Sequence, residues 1–302
     1  MDKAGITPAV VERLLAAQFP QWAHLPVSRV ELDGWDNTTF RLGDEMSVRL
    51  PSGDAYTAQV DKEHRWLPYL APQLPLPIPQ PLAKGAPTQE FPRPWSIYRW
   101  LEGEPATVDR IADLERFATD LAAFLDALYR IDCVDEVTAG PHSHLRGAHV
   151  AAWDAQTRAA IGGLDGEIDG DAALAAWERA LATRFDGPPV WVHGDVVATN
   201  LLVAGGELSA VIDFGCCAVG DPACDMAVAW TLFSGESRRT FREALGVDDA
   251  TWERGRGWAL WKALIEIHHG RAHDAGAPQP GWKRMGWTRS AADLVEDLLV
   301  DG

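Results

Sequence analysis

The stretch that most restricts what this chain can become is residues 191–215, WVHGDVVATNLLVAGGELSAVIDFG, which sets three oxygen-bearing side chains, Asp195, Asn200 and Asp213, around a hairpin signal. Val190–Val192 is a short β-branched and aromatic run ending at His193-Gly194-Asp195. Beyond it, two apolar runs, Leu201–Val203 and Leu208–Ile212, flank Gly205-Gly206. That dipeptide suits a two-residue hairpin loop, whose central residues need positive φ. With this loop, pairing puts Asn200 opposite Val211 and leaves Asp213 one diagonal step away, so two oxygen ligands converge. In Asp213-Phe214-Gly215, Gly215 would let the backbone turn away and leave the Asp213 carboxylate facing a cleft. A carboxylate and an amide oxygen without a His or Cys cage suit magnesium, which takes one or two carboxylates, waters and substrate phosphates. Asp195 can face the same cleft as a base for a hydroxyl.

The pattern His193-Gly194-Asp195-x-x-x-x-Asn200 followed by Asp213-Phe214-Gly215 resembles the catalytic and metal-binding motifs of the aminoglycoside phosphotransferase family, relatives of the protein kinases with HGD in place of HRD. The two motifs in order, with the four-residue gap and a hairpin between them, are far more specific than either alone. Asp195 and Asp213 acting only as turn caps would leave Asn200 unexplained.

At 302 residues the chain can form one large domain or two lobes around separate cores. No apolar run reaches the length of a membrane span, and the start MDKAGITPAV has neither the basic flank nor the apolar centre of a signal peptide, so the expectation is a cytoplasmic protein. Cys133, Cys216, Cys217 and Cys224 show no zinc-like pairing and read as reduced thiols. A net charge of −17 argues against a nucleic-acid partner and would steer a cationic one, although it also serves solubility.

In chain order, Ile6, Val10, Leu14, Leu15 and Phe19 mark an N-terminal helix packing on a sheet, started by Thr7-Pro8. Strands are expected over Val27–Leu32, Thr38–Leu42 and Met46–Leu50, the last two joined at Gly43-Asp44. Asp33 to Thr38 takes the place of the kinase-like phosphate-covering loop but has one glycine, so either backbone amides or the Asn37 and Thr38 side chains would meet phosphate; an ordinary polar turn is the other reading. Arg49 stands where the resembled family carries a phosphate-contacting Lys, and Arg can bind phosphate bidentately. Its expected partner is Glu63, on a helix over roughly 54–70. Pro72 to Pro81 holds five prolines, a stiff connector. Trp95–Leu101 is a buried strand whose apolar character ends at Glu102-Gly103; this stretch, with Arg99 and Trp100, resembles the hinge whose backbone groups meet the adenine edge.

Leu114, Phe117, Leu121, Phe124, Leu125 and Leu128 outline a core helix. Residues 134–189 carry helical pieces near 148–161 and 171–184; in the resembled family this region helps form the substrate side. His142, His144 and His149 lack metal-ligand spacing. Asp221 is expected to cap the helix that follows, and Asp225 to stabilise the loop of Asp195. Further helices are read over 223–233, 236–245, 249–270 and 288–300. Glu266, His268, His269 and Asp274 near the end of the third are candidates for an acceptor pocket, or solvated helix-end residues.

The resemblance implies an α+β, two-lobed protein-kinase-like fold: an N-terminal antiparallel sheet lobe, 1–100, that binds nucleotide; a hinge, 101–105; and a mainly helical catalytic and substrate-binding lobe, 106–302. It implies an ATP-dependent phosphotransferase, with GTP the alternative donor, acting on a hydroxylated small molecule, aminoglycoside-like and cationic, or else a macrolide, sugar or amino alcohol. Asp195 would be the base, Asn200 and Asp213 would hold Mg2+, and Arg49, Glu63, Asn37, Thr38, Arg99 and Trp100 would serve the nucleotide. A nucleotide-binding regulatory protein that has lost transfer is the reading from another class, and a protein kinase the third.

Overall fold

The chain's fold is given by a computed structural model that describes residues 3–30, 36–133, 137–273, 283 and 285–300, the side chains of 269–273 excepted. It divides into two compact units, residues 1–73 with 77–102, and residues 74–76 with 103–302.

In the first unit, helix α1 (Pro8–Gln18) precedes strands β1 (Val27–Arg29), β2 (Asn37–Leu42) and β3 (Met46–Pro51), helix α2 (Thr57–Leu70), and strands β4 (Pro81–Gly85) and β5 (Trp95–Arg99). The five strands form one antiparallel sheet in the order β1-β2-β3-β5-β4. The β2–β3 hairpin turns at Gly43, whose φ of +56° an L side chain would resist. Because side chains alternate across a strand, the sheet has two unlike faces. Phe40, Leu42, Val48 and Leu50 lie buried on one, in a core with Val10, Val11, Leu14 and Leu15 of α1. The other carries Arg49 and Ser96, which are paired across β3 and β5, and meets α2. The first strand is shorter than the run expected over 27–32; Glu31 and Leu32, and with them Asp33, Gly34 and Trp35 of the loop, lie outside the described residues.

The second unit holds β6 (Glu104–Pro105), α3 (Leu114–Tyr129), α4 (Asp154–Gly163), α5 (Gly170–Ala182), β7 (Val190–Val192), β8 (Leu201–Ala204), β9 (Glu207–Val211), β10 (Ala218–Gly220), α6 (Val228–Thr231), α7 (Gly235–Leu245), α8 (Asp249–His273) and α9 (Ala291–Val300). The strands form two small sheets, β6-β8-β9 and β7-β10. Asp113 caps α3 by accepting the N–H groups of Glu115 and Arg116, both at 3.0 Å, and the face expected to be apolar is buried from Phe117 to Leu128. α8 packs against α4, α5, α9 and the turn over Pro222–Ala227, so it is buried on several sides rather than along one stripe. Among the described residues no helix is long and apolar enough to cross a membrane.

Candidate active site

The expected hairpin is present: β8 and β9 pair antiparallel across Gly205 and Gly206, both with positive φ. Its register differs by one residue from the simple count. Val203 pairs with Leu208 but Leu202 with Ala210, so Ser209 is bulged out. Asn200 therefore meets Ile212 rather than Val211, its carbonyl accepting the Ile212 N–H at 2.8 Å. Asp213 is the next residue. The turn there is made by Asp213 itself, at φ 66° and ψ 71°, and not by Gly215. A short polar side chain tolerates this left-handed backbone better than most, and Asp213 Oδ1 accepts the Gly215 N–H at 3.4 Å.

The segment carrying Asp195 is fixed from below. The buried Asp225 carboxylate accepts the His193 N–H at 3.0 Å and the Gly194 N–H at 2.7 Å. Burial pushes its carboxyl above the ordinary value against those bonds. Gly194 has φ +84°, and a Cβ there would stand 2.5 Å from the Cys216 carbonyl, so only glycine fits between His193 and Asp195. His193 Nδ1 accepts the Asp195 N–H at 3.2 Å, which leaves Nε2 to donate to the Ile212 carbonyl at 3.0 Å. One neutral imidazole thus ties the Asp195 loop to the strand that delivers Asp213. Phe214 packs on the same ring, centroids 4.6 Å apart.

Asn200 donates its amide N–H to the Asp195 carbonyl at 3.0 Å and more loosely to Oδ2 at 3.4 Å. That bond points the amide nitrogen toward Asp195 and leaves Oδ1 as the group it can offer a cation. Asn200 Oδ1 and the Asp213 carboxylate are an all-oxygen donor pair, which fits a magnesium ion that draws its other ligands from water and phosphate. Among the described residues no group of three or more His, Cys, Asp or Glu forms a metal cage. His142 and His149 are engaged with the Thr138 and Thr183 carbonyls, and His149 also caps the turn at Ala151.

Two cations missed in the sequence bear on Asp195. Lys262 of α8 donates from Nζ to Asp195 Oδ1 at 3.0 Å, with its own side chain nearly buried. Arg146 lies close by, its Cβ within 2.9 Å of where a Gly194 Cβ would be. Burial alone would raise the Asp195 carboxyl; Lys262 and then Arg146 outweigh it and hold Asp195 below its ordinary value. The signal for Lys262 was there: it is the lone charge in the run from Gly257 to Ile265. Of the pocket candidates read from this helix, Glu266 is half-buried and His268 exposed, the His269 side chain is not described, and Asp274 lies outside the described residues.

Asp221 caps Pro222–Ala227 as expected, accepting the Ala223 N–H at 3.0 Å, and also pairs with buried Arg254 at 2.7 and 3.3 Å. In the first unit, Arg49 meets Glu63 at 3.4 Å, and the Tyr98 hydroxyl donates to the same carboxylate. Asn37 is buried on the Arg49 face, but Thr38 shares the core face of Phe40 and Leu42 and has no exposed surface. Thr39, opposite Arg49, takes the orientation expected of Thr38. The N–H groups of Arg99 and Trp100 already donate to the Gln80 and Glu45 carbonyls, at 2.9 and 2.7 Å. An adenine edge would have to meet other groups of these two residues. The Arg41 guanidinium covers the Trp100 ring at 3.9 Å.

Several solved structures share this fold. The GDP complex of aminoglycoside 2'-phosphotransferase-IIIa aligns with a TM-score of 0.72 at 17% identity, over 98% of this chain and 99% of that one. The streptomycin–ATP–APH(2'')-IIa ternary complex gives 0.62 at 19%, over 98% and 96%. Macrolide 2'-phosphotransferase MphH from Brachybacterium faecium gives 0.61 at 20%, over 95% and 97%. Among curated proteins there is no match. The model of the phosphotransferase enzyme family (APH) matches residues 28–258, more than half of the chain, spanning both the Arg49–Glu63 pair and the Asp195, Asn200 and Asp213 loops. The chain belongs to that family and is a phosphotransferase with the two-part, kinase-like fold its motifs imply.

Proposed function

We propose that the protein transfers the γ-phosphoryl group of ATP, or of GTP, to a hydroxyl of a small molecule, with Asp195 as the base. The observation that carries this reading is the shared anchoring of Asp195, Asn200 and Asp213 through His193 and the Asn200–Ile212 bond. In the step, the acceptor oxygen forms a bond to the γ-phosphorus while the bond from that phosphorus to the bridging oxygen breaks. The nucleoside diphosphate leaves, and the hydroxyl proton passes to Asp195 and on to water. Lys262 engages one Asp195 oxygen, leaving Oδ2, with its loose contact to Asn200, to receive the hydroxyl.

Asn200 and Asp213 would hold magnesium, which when bound neutralises phosphate charge. In the first unit, Arg49 would hold nonreacting phosphates, with Glu63 and Tyr98 fixing its guanidinium. The first unit would thus be the nucleotide lobe and residues 106–302 the catalytic and substrate lobe.

An antibiotic acceptor is supported by the aminoglycoside and macrolide phosphotransferases of like fold. The expectation of a cationic acceptor rests on that likeness and on the net charge. The test is ADP release with ATP and magnesium against hydroxylated antibiotics and metabolites, beside Asp213→Asn. Acceptor-dependent release that needs a much higher magnesium concentration in Asp213→Asn is expected. Nucleotide binding without release for any acceptor would favour the regulatory reading instead.

A further inference from the structure

The Asp195 carboxylate meets Lys262 and, more loosely, the Asn200 amide, and a second cation, Arg146, lies beside its loop. Lys262 lies 3.0 Å from Oδ1 with little exposed surface, and Arg146 stands over the loop at Gly194. The Arg146 guanidinium lies against three indoles, its carbon 4.6 Å from the Trp261 centroid, 5.1 Å from that of Trp258 and 5.9 Å from that of Trp153. Trp153 and Trp261 stack at 4.6 Å, and Trp258 meets Trp261 edge-on. The unmet hydrogen-bonding capacity of this cluster is all of one kind. Arg146 Nε and Nη1, Trp153 Nε1 and Trp258 Nε1 are buried with no acceptor among the described residues. Ring faces satisfy part of a guanidinium's charge but offer no oxygen. Donors that lack acceptors are costly, and a carboxylate or phosphate oxygen would meet them with charge-assisted bonds. Asp225, the nearby acid, is spent on the His193 and Gly194 N–H groups. Glu266, one helical turn beyond Lys262, is a half-buried acid on this face of the helix.

We propose that the acceptor is an anionic alcohol, a hydroxyl compound bearing a carboxylate or another oxyanion, whose charged group is held by Arg146 and Lys262 while its hydroxyl faces Asp195. This rests on the phosphotransfer reading above and gives its acceptor a charge. A polycation would have to bring ammonium groups against Lys262 and Arg146 with the Asp195 carboxylate already engaged by Lys262, whereas an oxyanion supplies the acceptor that Arg146 lacks. The indole wall packs against the carbon skeleton. The bonds made and broken in transfer are unchanged, and the oxyanion is not consumed.

Two sources of oxyanion compete for these cations, the acceptor and the nucleotide's γ-phosphate, and matched ligands separate them. Gluconate, glucitol and glucamine differ only at C1, and glycerate, glycerol and 3-amino-1,2-propanediol form a shorter set of the same kind. Binding to the full-length protein is measured by calorimetry, with and without a nonhydrolysable ATP analogue, in wild type, Lys262→Met, Lys262→Arg and Arg146→Met. The carboxylate member is expected to bind about tenfold or more tightly than the neutral one in at least one set, with the amine weakest. The preference should collapse in both Met variants and survive in Lys262→Arg. Amine members or kanamycin binding as well as the carboxylates, or no carboxylate binding at all, would overturn the proposal. So would Met variants that lose the ATP analogue but keep the acceptor order, which would assign the cations to the nucleotide. Because binding is read without turnover, an intact anion preference in a protein that transfers nothing would count against the transfer reading alone.

Discussion

Asp225→Ala tests the idea that a buried carboxylate holds the Asp195 loop. The substitution removes the acceptor of two buried N–H groups, those of His193 and Gly194. Each donor left without an acceptor costs about 1–3 kcal/mol, so the pair costs about 2–6 kcal/mol. Part of this is offset because the carboxylate is itself destabilised by burial, as its raised pKa records, which places the expected loss at about 2–4 kcal/mol. For a unit of this size, roughly 2–4 °C per kcal/mol gives a fall in Tm of roughly 5–15 °C. Asp225→Asn keeps one acceptor oxygen and turns an NH2 toward the second donor, so it should lose about half as much. Thermal unfolding followed by tryptophan emission reads the stability, and steady-state kinetics read kcat and the nucleotide KM. The loop carries Asp195, so kcat should fall while the nucleotide KM stays near wild type. An Ala variant that melts within about 1 °C of wild type and keeps its kcat would refute the reasoning.

Arg254→Leu strands Asp221 as an unpaired buried charge and should cost about 3–5 kcal/mol in urea unfolding; adding Asp221→Asn, which keeps the cap on Ala223, should recover part of it. Lys262→Met removes the largest of the influences that outweigh the partial burial of Asp195, so the carboxyl should rise and the acid limb of kcat/KM should move toward neutral pH. A carboxyl lowered in the fold contributes stability above its unfolded value of 3.8, and that contribution is lost as pH falls through the lower folded value. The Tm gap between wild type and Lys262→Met should therefore be present at pH 7 and close below about pH 4. A gap that is flat across this range would break the assignment.

Local chemistry made much of this molecule legible. The Gly205-Gly206 turn, the alternation of β2 and β3 and the capping residue Asp221 each follow from residues close in sequence. The Arg49–Glu63 pair was found through the family pattern rather than through spacing. What was hidden depends on longer contacts or on one-residue geometry. The bulge at Ser209 moves Asn200 from Val211 to Ile212, and no residue type announces it. A one-residue shift also decides that Thr39 rather than Thr38 shares the Arg49 face, because side chains alternate with a period of two. Lys262 is 67 residues from Asp195, and a lone charge within the apolar run from Gly257 to Ile265 does not by itself name its partner. Arg146 lies in a Gly- and His-containing stretch with no periodic signal, and only the packing of Trp153, Trp258 and Trp261 reveals its place.

The most direct test of the central claim is a single-turnover measurement of γ-phosphoryl transfer, with ATP affinity measured in parallel, for wild type and Asp195→Ala. If Asp195 is the base, ATP affinity should change by no more than about twofold, while transfer to the acceptor falls by about 10²–10⁴-fold. Transfer undiminished in Asp195→Ala would contradict the account.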